Sequence, residues 1–272
     1  MIAISNGEKP SETELKKYSD IRPTAGNREA YASHPDAEPH SLTELSKDKL
    51  IEVQCAVAAN PNTPVDTLKW LMERKGKHKS KYIKAALASN PSTPIEMLEE
   101  LYLIDEGKED NFDDTIERIV KGIAGNPSTP ESLLLRIAEK PPTSMTLLTV
   151  TENKGDGLTE AVLRKVAEEE NWGKNSAAKH PRLPLELIET LSKDKSYGVR
   201  SNIAENPSTP ADVLRELAND EYLASGFYTV RRAVENNPNT PEDVLINIQS
   251  REEKWAEELG FKNAYEQERQ KE

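Results

Sequence analysis

The chain has 272 residues, with 36 Lys and Arg against 48 Asp and Glu, and a formal net charge of −12. That balance argues against free nucleic acid and anionic membrane as partners, because long-range attraction has the wrong sign. The single cysteine, Cys55, excludes an intrachain disulfide and a thiolate metal site. With 35% apolar, 31% charged and 5% aromatic residues, the chain is lean for one deep core but too apolar for disorder, which suits a thin architecture whose segments pack only on their neighbours.

Residues 1–27 turn polar after "MIAI", and Leu15 and Tyr18 are the apolar residues that fit an N-terminal cap. No window approaches the roughly 18 apolar residues of a membrane helix. With one thiol and no secretory segment, the expected setting is cytoplasmic. From residue 28 a short motif recurs. "NPNTP" stands at 60–64 and 237–241, and "NPSTP" at 90–94, 126–130 and 206–210. "HPRLP" from His180 is a variant, "HPDAEP" from His34 places its second proline one residue later, and "NKGDGLT" from Asn153 has two inserted residues and no proline. The eight copies are spaced 26, 30, 36, 27, 27, 26 and 31 residues apart. Self-similarity at a period of 26–27 residues, with insertions in three links, is the signature of a solenoid.

Each copy reads as a corner between two helices. The leading Asn precedes proline and is pushed out of the α region, which stops the helix before it. Thr is expected to cap the next helix, with proline at its first position. Helices should therefore begin at or beside Pro64, Pro94, Pro130, Pro184, Pro210 and Pro241. Acids three residues after Thr, such as Asp66, Glu96, Asp212 and Asp243, fit a box-like start. Apolar residues at i, i+1 and i+4 follow, for example Met97, Leu98 and Leu101 or Val213, Leu214 and Leu217, and make one stripe. Ahead of each corner lies a second helical stripe, as in "IKAALASN" at 83–90 and "VRSNIAEN" at 199–206, with Ala56, Ala86, Gly122 and Ala233 small enough for close backbone approach. "LSKDK" at 45–49 and 191–195 marks the other corner. No sheet is expected, and no strand through any of the repeated corners. The irregular corner Asn153–Thr159 is expected to be looser than the others.

The chemistry-bearing candidates depart from this repeat. Trp70 stands where other copies carry Glu100, Arg136, Lys165, Thr190, Glu216 and Asn247, so it should face solvent as an interface anchor. It is followed by "ERKGKHKSKYIK" at 73–84, a basic run with Arg74, Lys75, Lys77, Lys79, Lys81 and Lys84. The acidic "DEGKEDNFDDTIE" at 105–117 lacks the glycine spacing of a calcium loop, and "GDGLTE" at 155–160 follows no strand and reads as a loop. His34, His40, His78 and His180 have no metal spacing. Arg200 and Arg231, with Lys84 and Lys174 at equivalent places, form a ladder along one face. Residues 250–272, with Trp255, Leu259 and Phe261, read as a C-terminal capping helix.

"VRSNIAENPSTPADVLRELAND" at 199–220 resembles the consensus of the variant leucine-rich repeat family, and the likeness covers roughly residues 28–249. The resemblance implies a right-handed superhelix of helical segments and a surface for protein contacts. Its best-known member carries a cysteine-rich N-terminal module for an iron–sulfur cluster, which one cysteine cannot supply. The expected fold is thus all-α: a right-handed α-solenoid of about eight repeats over 28–249, between a cap at 1–27 and a cap at 250–272. The expected function is a non-enzymatic scaffold, without cofactor or metal, that binds another protein through Trp70, the basic run, Arg200 and Arg231. The alternative is nucleic-acid binding through the basic run and the arginine ladder.

Overall fold

The computed structural model describes residues 25–74, 80–103, 114–169, 172–221, 223–224 and 227–258. Within them the chain is helical, apart from a two-residue antiparallel pairing of Leu223 with Tyr228 and Ala224 with Phe227. The pairing lies in the longest link of the second half and touches none of the corners, so the all-α class stands. No helix among the described residues is long and apolar enough to cross a membrane.

The chain divides into two compact units, Met1–Ile137 with Glu152–Gly157, and Ala138–Thr151 with Leu158–Glu272. The first holds α1 (Ala25–Ala32), α2 (Pro39–Leu45), α3 (Ile51–Ala59), α4 (Val65–Glu73), α5 (Ser80–Ser89), α6 (Ile95–Leu103), α7 (Asp114–Gly125) and most of α8 (Glu131–Glu139). Here α1, α3, α5 and α7 pack each on the next, and α2, α4 and α6 bridge them. Close approach needs small side chains: a Cβ at Gly122 on α7 would lie 2.8 Å from Ser89 Oγ and 2.9 Å from Ala88 Cβ on α5. The second unit holds α9 (Ser144–Thr151), α10 (Glu160–Glu168), α11 (Trp172–Ala178), α12 (Leu185–Leu191), α13 (Tyr197–Glu205), α14 (Ala211–Leu217), α15 (Thr229–Asn236) and α16 (Glu242–Glu258). There α9, α11, α13 and α15 form the packed row, and α10, α12, α14 and α16 accompany it. The expected boundary at 249–250 falls inside α16, which runs on without a break, and residues 259–272 lie outside the described residues.

Helices start one residue after each of Pro64, Pro94, Pro130, Pro184, Pro210 and Pro241. The cap, however, is not the threonine. Pro64, with φ −58° and ψ 143°, is the N-cap, and its carbonyl accepts from Thr67 N and Leu68 N. Thr63 instead donates its hydroxyl backwards, to Val57 O at 2.6 Å, closing the end of the preceding helix. Thr93, Thr129, Thr209 and Thr240 donate in the same way to Leu87, Ile123, Ile203 and Val234. The physical reason is twofold. A residue before proline is held extended, and a buried hydroxyl must find a partner, here a carbonyl at the end of the preceding helix that also accepts from the corner asparagine's N–H. Thr159 has no proline after it, sits at the N-cap itself and accepts from Val162 N. The corner at His34 is not longer than the rest. Ala37 N donates to His34 O just as Thr63 N donates to Asn60 O, and Pro39 has merely moved from the cap to the first helical residue.

Candidate functional site

The corner asparagines do more than stop helices. Asn90 is fully buried, and its Nδ2 donates to Ala58 O and Asn60 O of the preceding corner, each at 2.8 Å. Its Oδ1 accepts from Ser92 N, fixing the turn that follows. In the first unit Asn60, Asn126 and Asn153 make the same pair of backward bonds, to Ala32 and His34, Ala88 and Asn90, and Ala124 and Asn126. In the second unit Asn206 and Asn237 do so, to Ala178 and His180 and to Ala204 and Asn206. The third corner residue adds a rung. Asn62, Ser92 and Ser128 donate to Pro35, Pro61 and Pro91 carbonyls, and Ser208 and Asn239 to Pro181 and Pro207. This explains why that position alternates between Ser and Asn: both supply one donor at the right reach. His34 and His180 take over the asparagine's acceptor role, accepting through Nδ1 from the N–H of Asp36 and Arg182. A corner-capping role therefore absorbs both histidines.

The corner at Asn153 continues the ladder despite its two extra residues. Its glycines are where another corner's backbone comes closest. A Cβ at Gly155 would lie 1.9 Å from Pro127 O, and one at Gly157 2.1 Å from Thr129 O. The insertion is seated on the neighbouring corner.

Charged side chains join successive layers. Arg28 Nε donates to Asp48 Oδ2 at 2.6 Å, Lys174 Nζ to Asp194 Oδ2 at 3.0 Å, and Arg200 Nε to Asp220 Oδ2 at 2.5 Å. Asp48 and Asp194 also accept from Leu50 N and Ser196 N at the start of the next helix. Burial works against the charge on Asp48, but Arg28 and the backbone N–H of Leu50 outweigh it and hold the carboxyl below its ordinary value. Asp194 is held low in the same way, burial being outweighed by Ser196 N–H and Lys174. In the second unit Arg164 pairs with Glu186 and Arg215 with Asp243, so Asp243, expected to box its own helix start, reaches an arginine of the preceding repeat.

These contacts separate the candidate binding residues. Arg200 is 17% exposed in its side chain and also donates to Asp194 O, so its guanidinium binds two layers of its own chain. Arg231 is 4% exposed. The ladder expected from Arg200 and Arg231 is thus turned inward. The sequence held a signal for this: an aspartate stands 20 residues after each of Arg28, Lys174 and Arg200. Trp70 is exposed, at 41%, on the last turn of α4, with the Arg74 guanidinium 5.4 Å from its ring centroid. Lys81 lies on the first turn of α5 with its Nζ 5.6 Å from the ring of Tyr82, which is 48% exposed. Lys84 follows on α5, half-buried, while Lys75, Lys77 and Lys79 lie outside the described residues. Tyr82 escaped the sequence reading because it sits inside a basic run. Its register position, eight residues before the corner asparagine, is the signal, since Met145 and Trp172 stand there in other copies and are also exposed.

Cys55 is half-buried on α3, and burial together with Glu52 and Glu29 pushes its thiol up to about 11, which favours the protonated thiol near neutral pH. Among the described residues, no cluster of His, Cys, Asp and Glu suits a metal ion. No protein-family model, curated protein or solved structure matches the chain.

Proposed function

We propose that this chain is a non-enzymatic scaffold for protein–protein contacts, a right-handed α-solenoid of about eight repeats resembling the variant leucine-rich repeat family, working in the cytoplasm without a cofactor. The observation that carries the reading is the hydrogen-bonded ladder through the corners. Within each unit, successive corners are bonded by buried asparagines that also set the turn after them, as quasi-one-dimensional architectures require. Stacking leaves other positions free to vary, and the described surface holds Trp70 and its cationic neighbours where stacking needs nothing. The nucleic-acid reading loses support on the same ground. Arg200 and Arg231, which it needed, are engaged or buried inside the chain, and the net charge of −12 opposes a polyanion.

The test has two arms. Small-angle scattering should give the elongated profile of a stacked repeat rather than that of a sphere of equal mass. Cross-linking of the purified chain in its native extract should join it to a defined protein through residues of unit one, and a low-salt shift assay with single- and double-stranded DNA should stay blank. A compact scattering profile, or tight DNA binding, would remove the reading.

A further inference from the structure

We propose that in the second unit the paired face of α11 and α13 is a docking site for an extended, basic polypeptide segment, held by its main chain at Asn202 and by a lysine or arginine side chain on Trp172. The site shares no residue with Trp70 and its neighbours and goes beyond the scaffold reading above. Helical spacing defines the face. Residues eight, five, four and one before each corner residue lie on one side of their helix. Trp172 and Gly198 take the first of these places on α11 and α13, Asn175 the second on α11, and Asn202 the third on α13. The two helices meet there, because Asn202 Nδ2 donates to Asn175 O at 3.2 Å and to Asn175 Oδ1 at 2.8 Å. Two acceptors on the nitrogen fix the orientation of the half-buried Asn202 amide, and among the described residues nothing donates to its Oδ1. An oriented carbonyl of this kind suits the N–H of an extended chain. Gly198 leaves room beside it. Met145 and Trp172 fill this place in the two preceding repeats, whereas a Cβ at Gly198 would meet, outside its own helix backbone, only Asn175 Oδ1 at 3.4 Å and Ser196 Oγ at 3.6 Å. Trp172 stands one turn before Asn175 on the same side of α11 and is 58% exposed, an apolar surface that stacking does not use.

Charge selects the occupant. Arg74, Lys81 and Arg136 lie over the rings of Trp70, Tyr82 and Tyr102, but among the described residues no cation lies over Trp172. An exposed indole of this kind attracts a cation brought by a partner. The chain's own cations on α11 and α13 are held elsewhere, Lys174 by Asp194 and Arg200 by Asp220. At the corner end of the packed row, exposed Glu152 and Glu205 stand in the repeats on either side of exposed Lys179, and the chain as a whole carries −12. That field attracts a basic segment and repels both a polyanion and a second copy of this chain.

The experiment titrates the full chain with a labelled synthetic peptide of alternating Lys and Ser, its Glu-for-Lys counterpart and a form methylated on alternate backbone nitrogens, read by anisotropy. The variants are Trp172→Ala, Gly198→Leu and, as an exposed apolar control on α12, Leu185→Ala. The basic peptide should bind with an affinity that falls with salt. It should weaken roughly tenfold in Trp172→Ala, which removes the indole, and in Gly198→Leu, which fills the space beside Asn202. Leu185→Ala should bind as wild type does. The methylated peptide should bind more weakly than its parent, and the Glu counterpart not at all. Gly198→Leu keeps the test independent of folding, because leucine favours a helix more than glycine does and the melting temperature should not fall. No binding of the basic peptide by wild type, or equal binding by Trp172→Ala and Gly198→Leu, would overturn the site while leaving the scaffold reading intact. Undiminished binding of the methylated peptide would overturn the main-chain contact at Asn202, and tighter binding of the Glu peptide would overturn the basic occupant. A dimer in sedimentation that Trp172→Ala disperses would assign the face to a second copy and overturn the proposal.

Discussion

Asn90 shows how much one side chain carries. It is fully buried, donates twice to the corner behind it and accepts once from the turn in front. Asn90→Ala removes the side-chain donor to Ala58 O and one of two donors to Asn60 O, which keeps Thr63 N, at a cost of about 2–3 kcal/mol. Asn90→Asp should cost more, because it sets a buried carboxylate against the same two carbonyls. Urea denaturation of both variants checks the order, and a milder effect from Asp would count against the ladder. Thr93→Val removes a hydroxyl that donates to Leu87 O, which still accepts from Asn90 N, so a loss of about 1 kcal/mol is expected. The stop at Asn-Pro was legible in the sequence, because it depends on residues adjacent in the chain. The direction of the threonine bond and the reach of the asparagine were not. The asparagine's reach depends on where the previous corner lies, 26 to 36 residues away, whereas the threonine bonds a carbonyl only six residues back, at the end of the helix behind it, where local cap rules point to the helix ahead.

At the scale of the element, the corner at Asn153 separates insertion from looseness. Two extra residues and two lost prolines suggest a slack loop. Instead the glycines let the insertion lie against the corner before it, and Asn153 keeps both ladder bonds, to Ala124 O at 2.6 Å and Asn126 O at 2.9 Å. Gly155→Ala places a Cβ 1.9 Å from a backbone oxygen that no side-chain movement can relieve. A loss of about 1–3 kcal/mol is expected. Gly26→Ala, with nothing within 4 Å of its Cβ, should instead stabilise α1 by about 0.5–1 kcal/mol. Thermal melts of the two variants should therefore move in opposite directions. The other junctions respond to acid. Asp48 and Asp194 are held below the ordinary 3.8 in the folded chain. Each therefore contributes stability that is complete above that value and is lost as pH falls through the lower, folded one. Asp194→Asn should cost stability at neutral pH and flatten the decline below about pH 4, where wild type falls more steeply. Melting curves from about pH 2 to about pH 7 read both effects. A parallel decline in wild type and variant would show that the Lys174 pair carries no pH-dependent stability.

For the whole molecule, the repeated corners made the helical class readable, because six helix starts follow from six prolines. The binding candidates were read less well, since position in a repeat tells which face a residue takes but not what lies across from it. By its place in the repeat Arg200 is a surface cation, yet Asp220 stands opposite and accepts from its Nε. What the ladder implies for stability is local coupling. Each corner is bonded to the one before it, in one run from His34 to Asn153 in the first unit and another from His180 to Asn237 in the second. In such an arrangement a lesion is felt by the adjoining repeats and fades with distance, because stability is a sum of repeat and neighbour terms rather than one core. Asn90→Ala should therefore raise amide exchange in α3, α5 and α7, which pack on one another, while α13 and α15 exchange at wild-type rates. Hydrogen exchange with peptide-level resolution, under conditions where wild type is fully folded, distinguishes this from a single cooperative core. A uniform rise across both units would mean that the chain opens as one body, and the corner ladder would then be a detail of packing rather than the element that transmits stability from repeat to repeat.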